Sequence, residues 1–128
     1  MSLLIRESEI KHNLQYIQTK ISVSLDTNNP HEIQAHLLEL SQLLSLSAVV
    51  QTSCKYFLEE KRKQAFELCA EQLSVLSATL AKQLIDSYCS VELSAYTLAE
   101  RQNRAIVHQM DALRSVLSFS KSELQNLK

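Results

Sequence analysis

Four histidines (His12, His31, His36, His108) and three cysteines (Cys54, Cys69, Cys89) are the side chains that could serve a metal centre or a nucleophile. Their spacing suits neither. Zinc ligands on a helix or knuckle come as HExxH or as closely paired cysteines. No two cysteines here have CxxC spacing, and His31 and His36 stand five apart, which is poor for one helical face. The odd cysteine number reads as small apolar residues in a reducing compartment. The serines sit in no nucleophile elbow or oxyanion-hole sequence, and Glu7/Glu9 and Glu59/Glu60 read as solvated surface. The expectation is a chain that is not an enzyme, with no metal and no cofactor.

The absence of glycine sharpens this. Phosphate loops and dinucleotide turns need glycine where the backbone turns left-handed or approaches a phosphate. Two-residue hairpins lose their best turn residue as well. With a single proline, Pro30, the chain is free to stay helical almost throughout. Hydrophobic residues make up 45% of it and aromatics only 5%, so the core must be aliphatic. The fold class expected is all-α: a single domain over residues 1–128, an elongated bundle of three to five helices ending in a long C-terminal helix.

Helical periodicity places the elements. Ile10, Leu14, Ile17 and Ile21 share one face of a first helix over about residues 4–25. Residues 26–30, Asp-Thr-Asn-Asn-Pro, form a loop. Asn29 is a suitable N-cap, Pro30 fits the first helical position and Glu32 completes a capping box, so a second helix starts at Pro30. Leu37, Leu40, Leu44, Ala48 and Gln51 make one stripe beyond it, and Ile33 and Leu37 begin another. Phe66, Cys69, Leu73, Leu76, Leu80 and Leu84 make a further one. One helix from 30 to 86 would be about 85 Å long, so a break is expected, with the charged run 59–63 as a place for it. The alternative is one long rod. Residues 86–90 form a second junction.

The last helix, about 91–127, carries a regular seam of three- and four-residue steps: Tyr96, Ala99, Asn103, Ile106, Met110, Leu113, Leu117, Ser120, Leu124. Asn103 in that seam either fixes register or faces solvent. A helix of about 55 Å exceeds what a compact chain of this length needs. The seam, with Tyr96, Asn103, Ile106, Met110, Leu113 and Leu117, is therefore expected to meet another copy in a homo-oligomer.

Charge is distributed unevenly. The net charge is −1, yet from Arg101 onward five cations (Arg101, Arg104, Arg114, Lys121, Lys128) face only Asp111 and Glu123. Arg101, Arg104 and His108 step along one helix side. Lys61, Arg62 and Lys63, with Lys55 nearby, form a second cluster. If the clusters meet, they can hold phosphates in a salt-sensitive way with little sequence readout. Tyr56, Phe57 and Tyr96 would add base stacking if exposed. The plainer reading is a mixed-charge surface with those aromatics in the core.

The segment 105–114, Ala-Ile-Val-His-Gln-Met-Asp-Ala-Leu-Arg, resembles the C-terminal helix of phage recombination-mediator proteins of the UvsY type. The shared pattern is Ala-Ile-x-His-x-x-Asp followed by Arg, which here falls one residue later. Lys55-Tyr56-Phe57-Leu58 is similar to an aromatic-basic stretch near the front of that family. The resemblance implies an oligomer that binds single-stranded DNA and helps load a recombinase, acting here through Lys61, Arg62, Lys63, Arg101 and Arg104. The alternative is a helical protein-interaction module (adaptor, assembly scaffold or anti-defence inhibitor) whose partner is a host or phage protein. The apolar run at residues 1–5 is short and is followed at once by Arg6, Glu7 and Glu9. No membrane span is expected, and the location expected is cytoplasmic, the host cytoplasm if phage-encoded.

Overall fold

The computed structural model describes residues 4–26 and 28–126. Thr27 of the expected loop, and Leu127 and Lys128 at the end of the expected last helix, lie outside the described residues. Five helices follow in order: α1 (Glu7–Ile21), α2 (Pro30–Leu68), α3 (Ala70–Leu73), α4 (Ala78–Tyr88) and α5 (Ser90–Asn126). Among the described residues there is no strand.

The α1 helix is shorter than its periodicity suggested. Glu7 and Glu9 in the first turn and Lys20 in the last complement the helix dipole. It stops after Ile21, with Ser22 as the C-cap and its hydroxyl donating back to the Gln18 carbonyl at 2.7 Å. The start of α2 at Pro30 is as expected, with the Asn29 side chain accepting from the backbone N–H of His31 and of Glu32; the capping box is not completed, because the Asn29 N–H donates to the Asp26 carbonyl at 3.3 Å instead of to Glu32.

The charged run does not break α2, which continues through 59–63 to Leu68. Glu, Lys, Arg and Gln are good helix formers, and Arg62 pairs with Glu59 one turn away at 3.0 Å. The break falls at Cys69, whose N–H still bonds to the Ala65 carbonyl. A single turn, α3, follows. The Ser74 hydroxyl then donates to the Glu71 carbonyl, and Ser77 caps α4 by accepting from the Leu80 N–H. The stripe from Phe66 to Leu84 is thus divided by serine side chains that compete for backbone bonds. The second junction, at Cys89 between α4 and α5, lies where the sequence placed it.

Long-range hydrogen bonds fix the helix directions. Asn103 Nδ2 donates to Ser47 Oγ at 3.2 Å, and Gln109 Nε2 donates to the Ile21 carbonyl at 2.8 Å. Gln102 Nε2 reaches the Leu14 carbonyl, and the Ile5 N–H reaches Ser53 Oγ. Hence α1 runs parallel to α5 and antiparallel to α2, with α2 and α5 antiparallel as the central pair. One core lies among these three helices and includes Ile17, Leu40, Val50, Ala99 and Ile106. A second, smaller core joins Leu58 and Ala65 of α2 to Ile85 and Cys89. Tyr96 packs against both.

The buried line of α2 is Ile33, His36, Leu40, Leu43, Ser47, Val50 and Cys54, so Ala48 is exposed and the line lies partly beside the stripe expected. One stretch of α2 is long and apolar enough, by length and composition, to cross a membrane, contrary to the expectation from sequence. In this structure α2 is the helix that the other elements pack against.

Candidate functional site

Among the described residues, each basic residue singled out in the sequence lies on a helix. On α5, Arg101, Arg104 and His108 are exposed on the side turned away from the core residues Ala99, Ile106 and Met110. Arg101 forms no ion pair among the described residues, Arg104 pairs with Glu100, and Arg114 pairs with Asp111 at 3.5 Å. On α2, Lys63 is exposed while Lys61 and Arg62 are half-buried beside α4. Lys61 Nζ lies 5.4 Å from the centre of the Tyr88 ring, a cation–π contact.

The two clusters sit at different levels. Asn103 is beside Ser47, which puts Arg101 and Arg104 near the middle of α2. The run 61–63 is about 20 Å further along the axis at 1.5 Å per residue. The arginine face of α5 therefore stands as its own surface. Tyr56 is exposed and meets Phe57 edge-on, with ring centres 5.4 Å apart; Phe57 and Tyr96 are half-buried against the core.

The seam of α5 is used first within the chain. Ala99, Ile106 and Met110 are buried in its own core, and Asn103, half-buried, bonds across to α2 rather than facing solvent. Leu113 and Leu117 are half-buried, and Leu124 is 60% exposed.

Two cavities flank α1. One, of about 270 Å³, lies between α1 and α2 and presents Tyr16, Lys20, His36, Glu39 and Gln42 over a leucine floor. His36 is buried, with Nδ1 3.7 Å from Glu39, and it also lines a groove against Gln109 and Leu113. Sequence reasoning weighed His36 only as a partner for His31 and missed its place in the core. Its signal was the step of three and four between Ile33 and Leu40. The other cavity, about 250 Å³ and mostly apolar, is lined by residues including Ile10, Leu14, Cys54, Phe57 and Val91.

Neither cavity assembles a nucleophile with a base. Burial pushes the Cys54 thiol up to about 11, so it stays protonated near neutral pH and is a poor nucleophile. The Cys89 thiol is also raised, by burial first and then by Glu92, against the opposing charges of Arg62 and Lys61. All three cysteines are free and buried. Among the described residues no group of three or more His, Cys, Asp or Glu is placed to hold a metal.

The fold and surface define an all-α helical bundle with a solvent-facing arginine stretch on its last helix. Comparison with protein-family models, with curated proteins and with solved structures finds no match.

Proposed function

We propose that this chain is a non-enzymatic, cytoplasmic accessory protein that binds single-stranded DNA through the outer face of α5. The observation that carries this is the exposure of Arg101, Arg104 and His108 along one side of that helix. The resemblance to recombination mediators supplies the rest of the reading: a homo-oligomer, with a recombinase as partner. Lys61, Arg62 and Lys63 serve as a second, separate contact for a longer strand.

The test is fluorescence anisotropy with a labelled single-stranded oligonucleotide at rising salt. Each phosphate contact contributes about −0.7 to the slope of log K against log salt for single strands. Arg101→Glu with Arg104→Glu is expected to flatten the slope by about 1.4 and to weaken binding, with helicity unchanged because both side chains face solvent. No binding at low salt by the folded protein would sink the proposal.

Self-association is assigned to the distal seam, since Ile106 and Met110 are already used inside the chain. Sedimentation velocity at micromolar concentration is expected to show a species larger than 14.6 kDa, and a monomer would remove the oligomer from the reading. A second reading, a protein-interaction module without nucleic-acid binding, is favoured by large apolar side chains left in solvent, Val75 and Val91 among them.

A further inference from the structure

A buried imidazole marks the cavity between α1 and α2. The His36 side chain is only 10% exposed, yet neither of its ring nitrogens makes a hydrogen bond among the described residues. Nδ1 is 3.7 Å from the Glu39 carboxylate, which is beyond hydrogen-bond range. Buried polar groups nearly always find a partner, and an exception calls for a reason. Among the described residues only Gln102 Oε1 is sealed from solvent without one. The unbonded nitrogens of His36 therefore open onto the spaces the ring lines, the cavity and the groove beside Gln109.

The rim of that cavity carries one charge of each sign. Lys20 comes from the last turn of α1 and Glu39 from α2, and both are exposed. Lys20 forms no ion pair among the described residues. Its Nζ lies 5.7 Å from the centre of the Tyr16 ring, a contact that keeps the ammonium beside the opening. The floor is apolar, with Leu40 and Leu43 both buried.

Size and charge together select the occupant. An apolar cavity of about 150 Å³ holds benzene, and drug-sized ligands fill about 300–1,000 Å³. A space of about 270 Å³ takes a ring or a branched chain with a short polar arm. A ligand with a carboxylate alone would meet Glu39 as a like charge, and one with an ammonium alone would meet Lys20. A zwitterion with an apolar group satisfies both charges and the floor. We propose that this cavity binds a free apolar α-amino acid. Its carboxylate turns to Lys20 and its ammonium to Glu39, its side chain rests on Leu40 and Leu43, and His36 makes its unused hydrogen bond to it. The same residue within a peptide lacks one or both charges. This site goes beyond the nucleic-acid reading and stands if that reading fails, because α5 contributes no residue to the cavity.

The test follows the histidine ring signals of the full chain by NMR during titration with L-phenylalanine and with L-leucine. At least one is expected to bind with a Kd of about a millimolar or tighter. It should move the His36 signal and leave those of His31 and His108 in place. The N-acetyl and the amide derivative of that amino acid each lack one charge and should bind at least about tenfold more weakly. Lys20→Gln should weaken the amino acid about tenfold while leaving its amide unchanged, and Glu39→Gln should do the same while leaving the N-acetyl derivative unchanged. Gln42→Trp, at an exposed position on the cavity wall, should fill the space and abolish the shift at unchanged helicity.

A His36 signal that neither amino acid moves would overturn the assignment. So would derivatives that bind as tightly as the parent, or binding that survives both charge variants.

Discussion

Leu40→Ala and Ile106→Ala are each expected to destabilise the protein by about 2–5 kcal/mol, while Leu124→Ala costs less than about 0.5 kcal/mol. All three positions are periodic aliphatic residues of long helices. Leu40 and Ile106 are fully buried and pack in the same core, whereas Leu124 is 60% exposed. Truncating a buried side chain loses its transfer free energy and leaves a cavity that rigid helices fill only in part. Total stability of a domain this size is about 5–15 kcal/mol, so either core variant removes a large share. Urea denaturation should show a lower midpoint at unchanged slope for the core variants. The contrast between Ile106 and Leu124 is the decisive part. If Leu124→Ala proved as costly as Ile106→Ala, with a cost that varied with protein concentration, the distal turns of α5 would be buried in a second copy.

That contrast also shows where periodicity stops being informative. The all-α class and the long last helix follow from the absence of glycine and the regular steps of α5, and the structure has both. The α2 start was legible because Asn29 and Pro30 act on neighbouring backbone, and their effect is local. The end of α2 was not. A run of charged residues looks like a surface interruption, yet Glu59 and Arg62 support each other within one turn. The true stop at Cys69 is followed by Ser74 and Ser77, whose hydroxyls also occur harmlessly inside helices, as Ser47 and Ser53 do in α2.

The candidate surface divides in the same way. Solvent exposure of Arg101, Arg104 and His108 follows from their steps along one helix, so the sequence sufficed to place them together. Whether they meet Lys61, Arg62 and Lys63 depends on the offset between two antiparallel helices. That offset is set by contacts such as Ser47 with Asn103, and a one-dimensional pattern holds no record of it. The same limit hid the seam's partner: a three-four repeat is alike whether it packs on its own chain or on another.

Gln102→Glu is expected to cost about 2–5 kcal/mol at pH 7, and Gln102→Met less than about 1 kcal/mol. Gln102 is 2% exposed and sits between α5 and α1. Its Nε2 donates to the Leu14 carbonyl at 2.9 Å and to Gln18 Oε1 at 3.2 Å, while its own Oε1 is buried with no partner among the described residues. Gln18 Nε2 in turn donates to Ser22 Oγ at 3.4 Å, so the orientation of both amides follows from their acceptors. A carboxylate at position 102 would face the Leu14 carbonyl and Gln18 Oε1, two acceptors, and would gain no donor. Burial and these oxygens would raise its folded-state pKa above the unfolded value of about 4.3. The penalty is then absent below about pH 4 and grows by about 1.4 kcal/mol per unit as pH rises, up to the folded pKa. Denaturation of the two variants at pH 4 and pH 7 checks this: the glutamate variant should approach the methionine variant at the lower pH. Methionine is unbranched and adapts to irregular gaps, and it removes the unpartnered oxygen along with the two donated bonds. If it proved as costly as glutamate, the bonds to α1 would outweigh the orphaned oxygen, and Gln102 would be a stabilising clasp between α1 and α5 rather than a polar group the core merely tolerates.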